Sequence, residues 1–149
     1  MTDHDEILIS LKPKHAAHIF GGEKTVELRK RRLNLKPGTR IWIYATSPIA
    51  AIKGYAHLAQ IQTNSPSFIW KTLGSQTGIS KEEFDAYFAA RDVAHALVLT
   101  DVMEMKQSLP LKRIRELVSN FHPPQFFCHL NGARKMMRLS SRKFEPISK

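Results

Sequence analysis

The chain has 149 residues, 42% of them hydrophobic, with a formal net charge of +10 and a sequence pI near 10.0. This length suits one domain, and the single cysteine, Cys128, excludes an internal disulfide and a cysteine-based zinc site. No apolar run is long enough to cross a bilayer and the N-terminus begins acidic and polar, so we expect a cytoplasmic protein whose excess of Lys and Arg binds nucleic acid rather than a membrane.

The first elements are a strand, a helix and a second strand. EILISL alternates apolar residues at period two, which predicts a largely buried strand. Pro13 suits the first turn of a helix, and Gly21 and Gly22 predict its end. KTVELRKR predicts a strand with Thr25, Glu27 and Arg29 on one face.

Two further strands follow. Pro37-Gly38 suits a type II turn, and RIWIYA combines the branched and aromatic residues of a strand. The segment AAIKGYAHLAQI resumes extended structure, and Gly54 within it indicates a bulge or a close approach of another backbone.

The middle of the chain is predicted to be helical from Ser65 to Arg91. Ser65 or Ser67 caps the first piece, and glycines between residues 74 and 78 interrupt it. Ser80, followed three residues later by Glu83, is a capping box that starts the second piece.

The last third begins with a buried strand, VAHALVLTDVMEM, followed by an amphipathic helix with Ser108 as its expected cap. The order β-α-β-β-β-α-α-β predicts an α+β fold: a small mixed β-barrel of about five or six strands with flanking helices. We expect one domain over residues 1–130 and a basic tail, ordered in part, over residues 131–149.

The segment GGEKTVELRKR carries the pattern G-x-K-x-x-E-x-R in Gly22, Lys24, Glu27 and Arg29. In this order of elements, over about residues 7–103, the chain resembles the ASCH domain family of the PUA-like superfamily. The resemblance implies a PUA-like barrel with a cleft facing the motif. It also implies RNA or another nucleic acid as partner, while some small members resemble amidohydrolases of an acylated cytidine nucleoside, and others nucleases or transcriptional coregulators.

Lys24, Glu27 and Arg29 are the leading candidate site. Two cations hold a phosphate, while a carboxylate accepts a hydrogen bond from a base amino group or a sugar hydroxyl. The alternative is a surface strand on which Glu27 pairs with Lys24 or Arg29, an interaction worth less than about 1 kcal/mol. Because of the family resemblance, we prefer a role in a binding site to a surface ion pair.

A second wall of the cleft is expected from the segment that follows RIWI. Tyr44 offers a ring on which a base stacks, and Thr46 and Ser47 offer hydroxyls at the end of the strand. Lys53 on the next strand is a candidate phosphate contact. The alternatives, a half-buried barrel residue at Tyr44 and a simple turn at Ser47, stay open.

The residues leave binding and catalysis as competing functions. Recognition of RNA or a modified nucleobase is favoured, and hydrolysis of RNA or of a modified nucleoside is the alternative. In an enzyme, Lys24 and Glu27 would be the catalytic candidates. The amidohydrolase pattern has a threonine at the position of Glu27, which argues against that activity. The seven histidines show no metal-like spacing, so neither a metal nor a cofactor is expected.

Overall fold

The computed structural model describes residues 5–130 and the backbone of residues 144–146. Its elements are β1 (Glu6–Leu11), α1 (Pro13–Phe20), β2 (Val26–Arg29), β3 (Arg40–Ala45), β4 (Ala51–Asn64), α2 (Pro66–Leu73), a 3₁₀ turn (Gly74–Gln76), α3 (Lys81–Tyr87), β5 (Ala94–Pro110), α4 (Leu111–Leu117), β6 (Phe127–His129) and β7 (Phe144–Pro146). The predicted order of the first eight main elements is confirmed.

The strands form one mixed sheet in the order β2-β5-β4-β3-β1-β6, and β7 pairs with β5 outside this path. β1 and β3 run parallel, with α1 and β2 between them in the chain, while the remaining neighbours are antiparallel. The prediction of an α+β fold with a small mixed, barrel-like sheet and flanking helices is confirmed.

The long strands β4 and β5 bend the sheet. Their pairing shifts register at three places, one of which lies between Ile52 and Gly54. Gly54 has a φ of +157°, and a Cβ at this position would collide with the carbonyl oxygen of Met103 and lie 2.7 Å from the Phe20 ring. The predicted bulge and close approach at Gly54 are therefore both confirmed, and they let the sheet curl around its core.

The core consists of three apolar clusters. The first fills the inside of the sheet under α1, with Ile9, Ile43 and Leu97 among its members. The second, on the other face, contains Trp42 and packs under α4. The third joins α2 and α3 to β2 through residues such as Phe84. Val26 and Leu28 of β2 belong to this third cluster. Their packing fixes the position of the motif that β2 carries.

The helix caps follow local sequence in the middle of the chain and depart from it near the end. The Ser65 hydroxyl accepts from the Phe68 amide, and Ser80 forms the complete capping box with Glu83, as predicted. The expected cap at Ser108 is wrong, because β5 continues to Pro110 by pairing with the start of β4 and α4 begins only at Leu111.

The predicted basic tail, residues 131–149, lies outside the described residues except for the backbone of β7. The division into a domain of residues 1–130 and a tail stays a prediction. Within the described part of the chain, no helix is long and apolar enough to cross a membrane.

Candidate functional site

Lys24 is held between the end of α1 and the connection from α2 to α3. Gly22 takes a φ of +87° and turns the chain out of the helix. The Lys24 amide then donates to the His18 carbonyl at 3.0 Å, and the Thr25 amide donates to the Gln76 carbonyl at 2.9 Å. The first bond ties the start of β2 to the end of α1, and the second ties it to a loop that lies about fifty residues later in the sequence.

The Lys24 ammonium is buried, with 2% of the residue exposed. Its Nζ donates to the Thr77 carbonyl at 2.7 Å and lies 3.4 Å from Glu27 Oε1. Gly78 adjoins this contact with a φ of +71°, and a Cβ there would lie 3.0 Å from the Lys24 Cβ. The 74–78 loop therefore comes close enough to satisfy the ammonium because position 78 has no side chain.

Glu27 joins the two cations of the motif. Its Oε1 pairs with Lys24, and its Oε2 lies 3.1 Å from Arg29 Nε. The pairing that the sequence allowed does occur, but the Glu27 side chain is only 9% exposed, so this is a buried network rather than a surface ion pair. Buried charges need such partners to be tolerated. With two cations and one carboxylate, the triad retains one positive charge.

The guanidinium of Arg29 is the incompletely satisfied member of the triad. Its Nε and Nη2 are both buried, and neither has a hydrogen-bond partner among the described residues, so the contact with Glu27 is an ion pair without hydrogen-bond geometry. Beside it lies a cleft of about 220 Å³, lined by Ser10, Leu11, Lys12, His15, Lys24, Glu27, Leu28, Arg29, Ile79 and Tyr87. This volume is below that of a drug-sized pocket. The cleft is therefore small, and the exposed 13% of the Arg29 side chain forms part of its wall.

His15 is a member of this cleft that sequence reasoning did not single out. It lies on α1, half-buried, and its Nδ1 has no hydrogen-bond partner among the described residues. Burial, and then the charge of Lys24, lower the pKa of His15 from its usual value of 6.5. Its imidazole is consequently neutral at pH 7 and able to accept a proton. The helical position gave no signal, because only the folded chain brings α1 to β2.

The predicted second wall lies elsewhere. Tyr44 is 3% exposed and packs in the second cluster, on the face of the sheet opposite Ile43, where burial raises its pKa. The structure does not bring Tyr44 to the Lys24 cleft. Residues in β3 alternate between the two faces of the sheet, and Tyr44 is fully buried rather than half-buried. The stacking role predicted for Tyr44 stays a prediction.

Thr46, Ser47 and Lys53 do not line the cleft that contains the triad. The Thr46 amide donates to the Leu11 carbonyl at 2.9 Å, which places the turn beside one wall residue of the cleft, and Ser47 is exposed. Lys53 lines a separate groove of about 490 Å³ that includes Phe20. The roles predicted for these residues stay predictions, and they require a ligand that continues past the cleft.

The hydroxyl groups of the two threonines beside Lys24 are engaged in hydrogen bonds. Thr25 Oγ1 donates to Gln76 Oε1 at 3.1 Å, and Thr77 Oγ1 donates to the Gly74 carbonyl at 2.7 Å. A nucleophilic hydroxyl needs its proton directed to a base. Neither threonine has that arrangement.

The described residues offer no metal site. Within residues 5–130, no group of three or more His, Cys, Asp or Glu side chains has an arrangement that could hold a metal ion. The expectation of no metal and no cofactor stays a prediction.

Three comparisons relate the chain to known proteins. The family model described as "Domain of unknown function (DUF365)" matches residues 7–121. An ASCH domain-containing ribonuclease of Zymomonas mobilis is 33% identical over 144 residues, 95% of this chain and 97% of the relative.

Solved structures give the same picture. The crystal structure of ASCH from Zymomonas mobilis superposes with a TM-score of 0.88 at 32% identity, covering 95% of this chain and 98% of that one. The human THYN1 protein, solved in complex with DNA containing 5-methylcytosine, has a TM-score of 0.54 at 11% identity, covering 92% and 96% of the two chains. At that identity the likeness concerns the fold alone.

Proposed function

This chain belongs to the ASCH domain family, and from that membership we propose that it binds single-stranded RNA in the Lys24 cleft and cleaves it. The similarity to a ribonuclease extends over nearly the full length of both chains, which supports the activity. The net charge of +10 supports a nucleic-acid partner.

The observation that carries the proposal is the guanidinium of Arg29. A buried donor without a partner is costly, so such groups occur where a ligand completes them. The Glu27 carboxylate lies 3.1 Å from Nε of Arg29 and keeps the guanidinium beside the cleft as an ion pair, and a phosphate oxygen would supply the hydrogen bonds that the guanidinium lacks. The small cleft admits an unstacked nucleotide and excludes a duplex.

His15 and Lys24 give the cleft its chemistry. In the proposed step the RNA 2′-oxygen attacks the adjacent phosphorus, the 2′-hydroxyl proton passes to neutral His15, and the bond from phosphorus to the 5′-oxygen breaks. The leaving 5′-oxygen takes a proton from solvent. Arg29 and Lys24 stabilise the charge that develops on the phosphate oxygens. Glu27 acts through these cations as a positioning residue.

A cleavage and binding assay tests this function. Labelled single-stranded RNA, the same sequence as DNA, and the RNA duplex are incubated with the protein and with Arg29→Gln. We expect binding to the single strands, cleavage of the RNA alone to a 2′,3′-cyclic phosphate, and weaker binding without cleavage in Arg29→Gln. Removing one phosphate contact lowers the slope of log K against log salt by about 0.7.

The matched control is Lys71→Gln, an exposed cation on α2 that does not line the cleft. It should leave cleavage unchanged. Equal affinity and equal cleavage for Arg29→Gln and the parent protein would contradict the proposal. If the parent protein binds RNA without cleaving it, in the presence and absence of EDTA, only the recognition function is left. Turnover of acylated cytidine in the same assay would support the amidohydrolase alternative.

A further inference from the structure

A second cavity adjoins the Lys24 cleft. It has a volume of about 420 Å³ and shares Arg29 and Tyr87 with the cleft. We call it the basic groove, and its lining residues are Arg29, Lys30, Arg31, Arg32, Leu33, Tyr87, Arg91, Phe126 and Phe127. A chain that leaves the cleft past Arg29 therefore enters the groove directly.

The basic groove carries one sign of charge. Four of its cations follow one another in sequence where β2 ends, and Arg91 joins them from the segment after α3. Among the described residues that line it, none is acidic. A concave surface of this kind concentrates the field of its cations and attracts a polyanion.

Two aromatic rings stand among these cations. Phe126 is 45% exposed and Tyr87 36% exposed. Arg31 Cζ lies 4.7 Å from the centre of the Phe126 ring, and Lys30 Nζ lies 4.6 Å from the centre of the Tyr87 ring. Large exposed apolar rings with cations beside them are the elements from which proteins build stacking sites for bases.

The two rings differ in how firmly they are held. The Tyr87 hydroxyl donates to the Leu28 carbonyl at 3.3 Å, and its ring meets Phe88 edge-on. Tyr87 is thereby fixed on β2, beside the triad. Phe126 precedes β6 and leaves nearly half of its surface exposed. The fixed ring adjoins the cleft and the freer ring lies further along the groove.

We propose that the basic groove is a second subsite, which binds the nucleotides that flank the one in the Lys24 cleft, with a base stacked on Phe126 and phosphates held by Arg31, Arg32 and Arg91. The inference rests on the proposed function and adds its substrate class: an unpaired strand of several nucleotides rather than a free nucleoside. Stacking on Phe126 requires an unpaired strand, since a base inside a duplex is already stacked on both of its faces.

The chain's own tail is a poor occupant of the groove. Residues 131–149 contain Arg134, Lys135, Arg138, Arg142, Lys143 and Lys149 against one acidic residue, Glu145. Like charges across such a surface repel. An acidic partner would complement the cations of the basic groove. A nucleic acid would also supply bases that stack on the rings of Tyr87 and Phe126.

The test is a length series of uncleavable 2′-deoxy-substituted oligonucleotides, from two to eight nucleotides, bound to the full chain and to Phe126→Leu. Leucine keeps apolar bulk and removes the stacking face. We expect affinity to rise with length in the parent protein and Phe126→Leu to lose about tenfold for the eight-nucleotide ligand. The two-nucleotide ligand should bind both proteins equally.

Phe68→Leu is the matched control, because Phe68 on α2 has the same 45% exposure and does not line the groove. It should bind every length as the parent does. Arg31→Gln should lower the salt slope by about 0.7 for the longer ligand only.

The outcomes separate the two proposals. If Phe126→Leu and Arg31→Gln bind all lengths as the parent does while Arg29→Gln does not, the groove inference is overturned and the cleft function stands. If Arg29→Gln also binds normally, the proposed function fails. Preference of the groove for a poly-glutamate peptide over the oligonucleotide would likewise overturn the inference.

Discussion

The Lys24 cleft and the basic groove share Arg29 but use charge in opposite ways. In the cleft Lys24 and Glu27 are 2% and 7% exposed, and each member of the triad has a counter-charge within 3.4 Å. In the groove the cations are exposed or half-buried, and two of them lie over aromatic rings. Buried charge is expensive and therefore fixed in position, whereas exposed charge is mobile and screened by salt.

The difference assigns selectivity and affinity to different places. The buried triad cannot rearrange without leaving a charge unpaired, so it presents one geometry to a ligand. We therefore expect the cleft to select which ligand binds. The groove adds long-range attraction and stacking, neither of which distinguishes sequences strongly. Four experiments, ordered by the size of the expected effect, test this contrast.

Glu27→Ala should destabilise the protein most, because it leaves Lys24 and Arg29 buried without their shared counter-charge. We expect a loss of about 3–5 kcal/mol in the free energy of unfolding, measured by urea denaturation. Asp85→Ala is the matched control: it removes an exposed pair in which Lys81 Nζ lies 2.7 Å away, and should cost less than about 1 kcal/mol. Equal losses in the two variants would show that the triad is not a buried network.

Gly78→Ala should come second, since alanine at a φ of +71° costs about 1–2 kcal/mol. Its Cβ would also press on the Lys24 side chain at 3.0 Å. Urea denaturation should show the loss of stability and the RNA assay a loss of affinity. A stable variant with unchanged affinity would mean that the 74–78 loop does not set the position of Lys24.

His15 gives the cleft a pH dependence that the groove lacks. The pKa of His15 is lowered from 6.5 in the folded protein, so the unfolded chain binds more protons and stability falls as pH decreases through that value. A bound phosphate favours the protonated ring, so affinity should rise as pH falls from 7.5 to 5.5, by up to about tenfold. Cleavage should fall over the same range. His15→Gln should flatten both profiles, and unchanged profiles would remove His15 from the reaction.

Lys53 should give the smallest effect, because it does not line the cleft that contains the triad. If a bound RNA strand continues past the turn at Thr46, Lys53→Gln should lower the slope of log K against log salt by about 0.7 and weaken binding of long RNA about threefold. A filter-binding titration over salt measures both. An unchanged slope would confine the ligand to the cleft and the basic groove.

Local signals predicted much of this architecture. Residues close together in sequence predict the capping box at Ser80, the bulge at Gly54 and the order of the first eight elements. The family pattern identified Lys24, Glu27 and Arg29. The cap at Ser108 failed because pairing with the distant strand β4 outweighed local propensity.

The fold class, the basic charge and the triad could be predicted from the sequence, because each follows from periodicity, composition or a contiguous motif. The surroundings of the triad could not, because they depend on how distant segments pack. The tertiary structure joined Lys24 to the Thr77 carbonyl, brought His15 from α1, placed Tyr44 on the other face of the sheet, and set Phe126 beside the cations that follow β2. These contacts join segments far apart in the chain, and strand pairing and core packing bring such segments together.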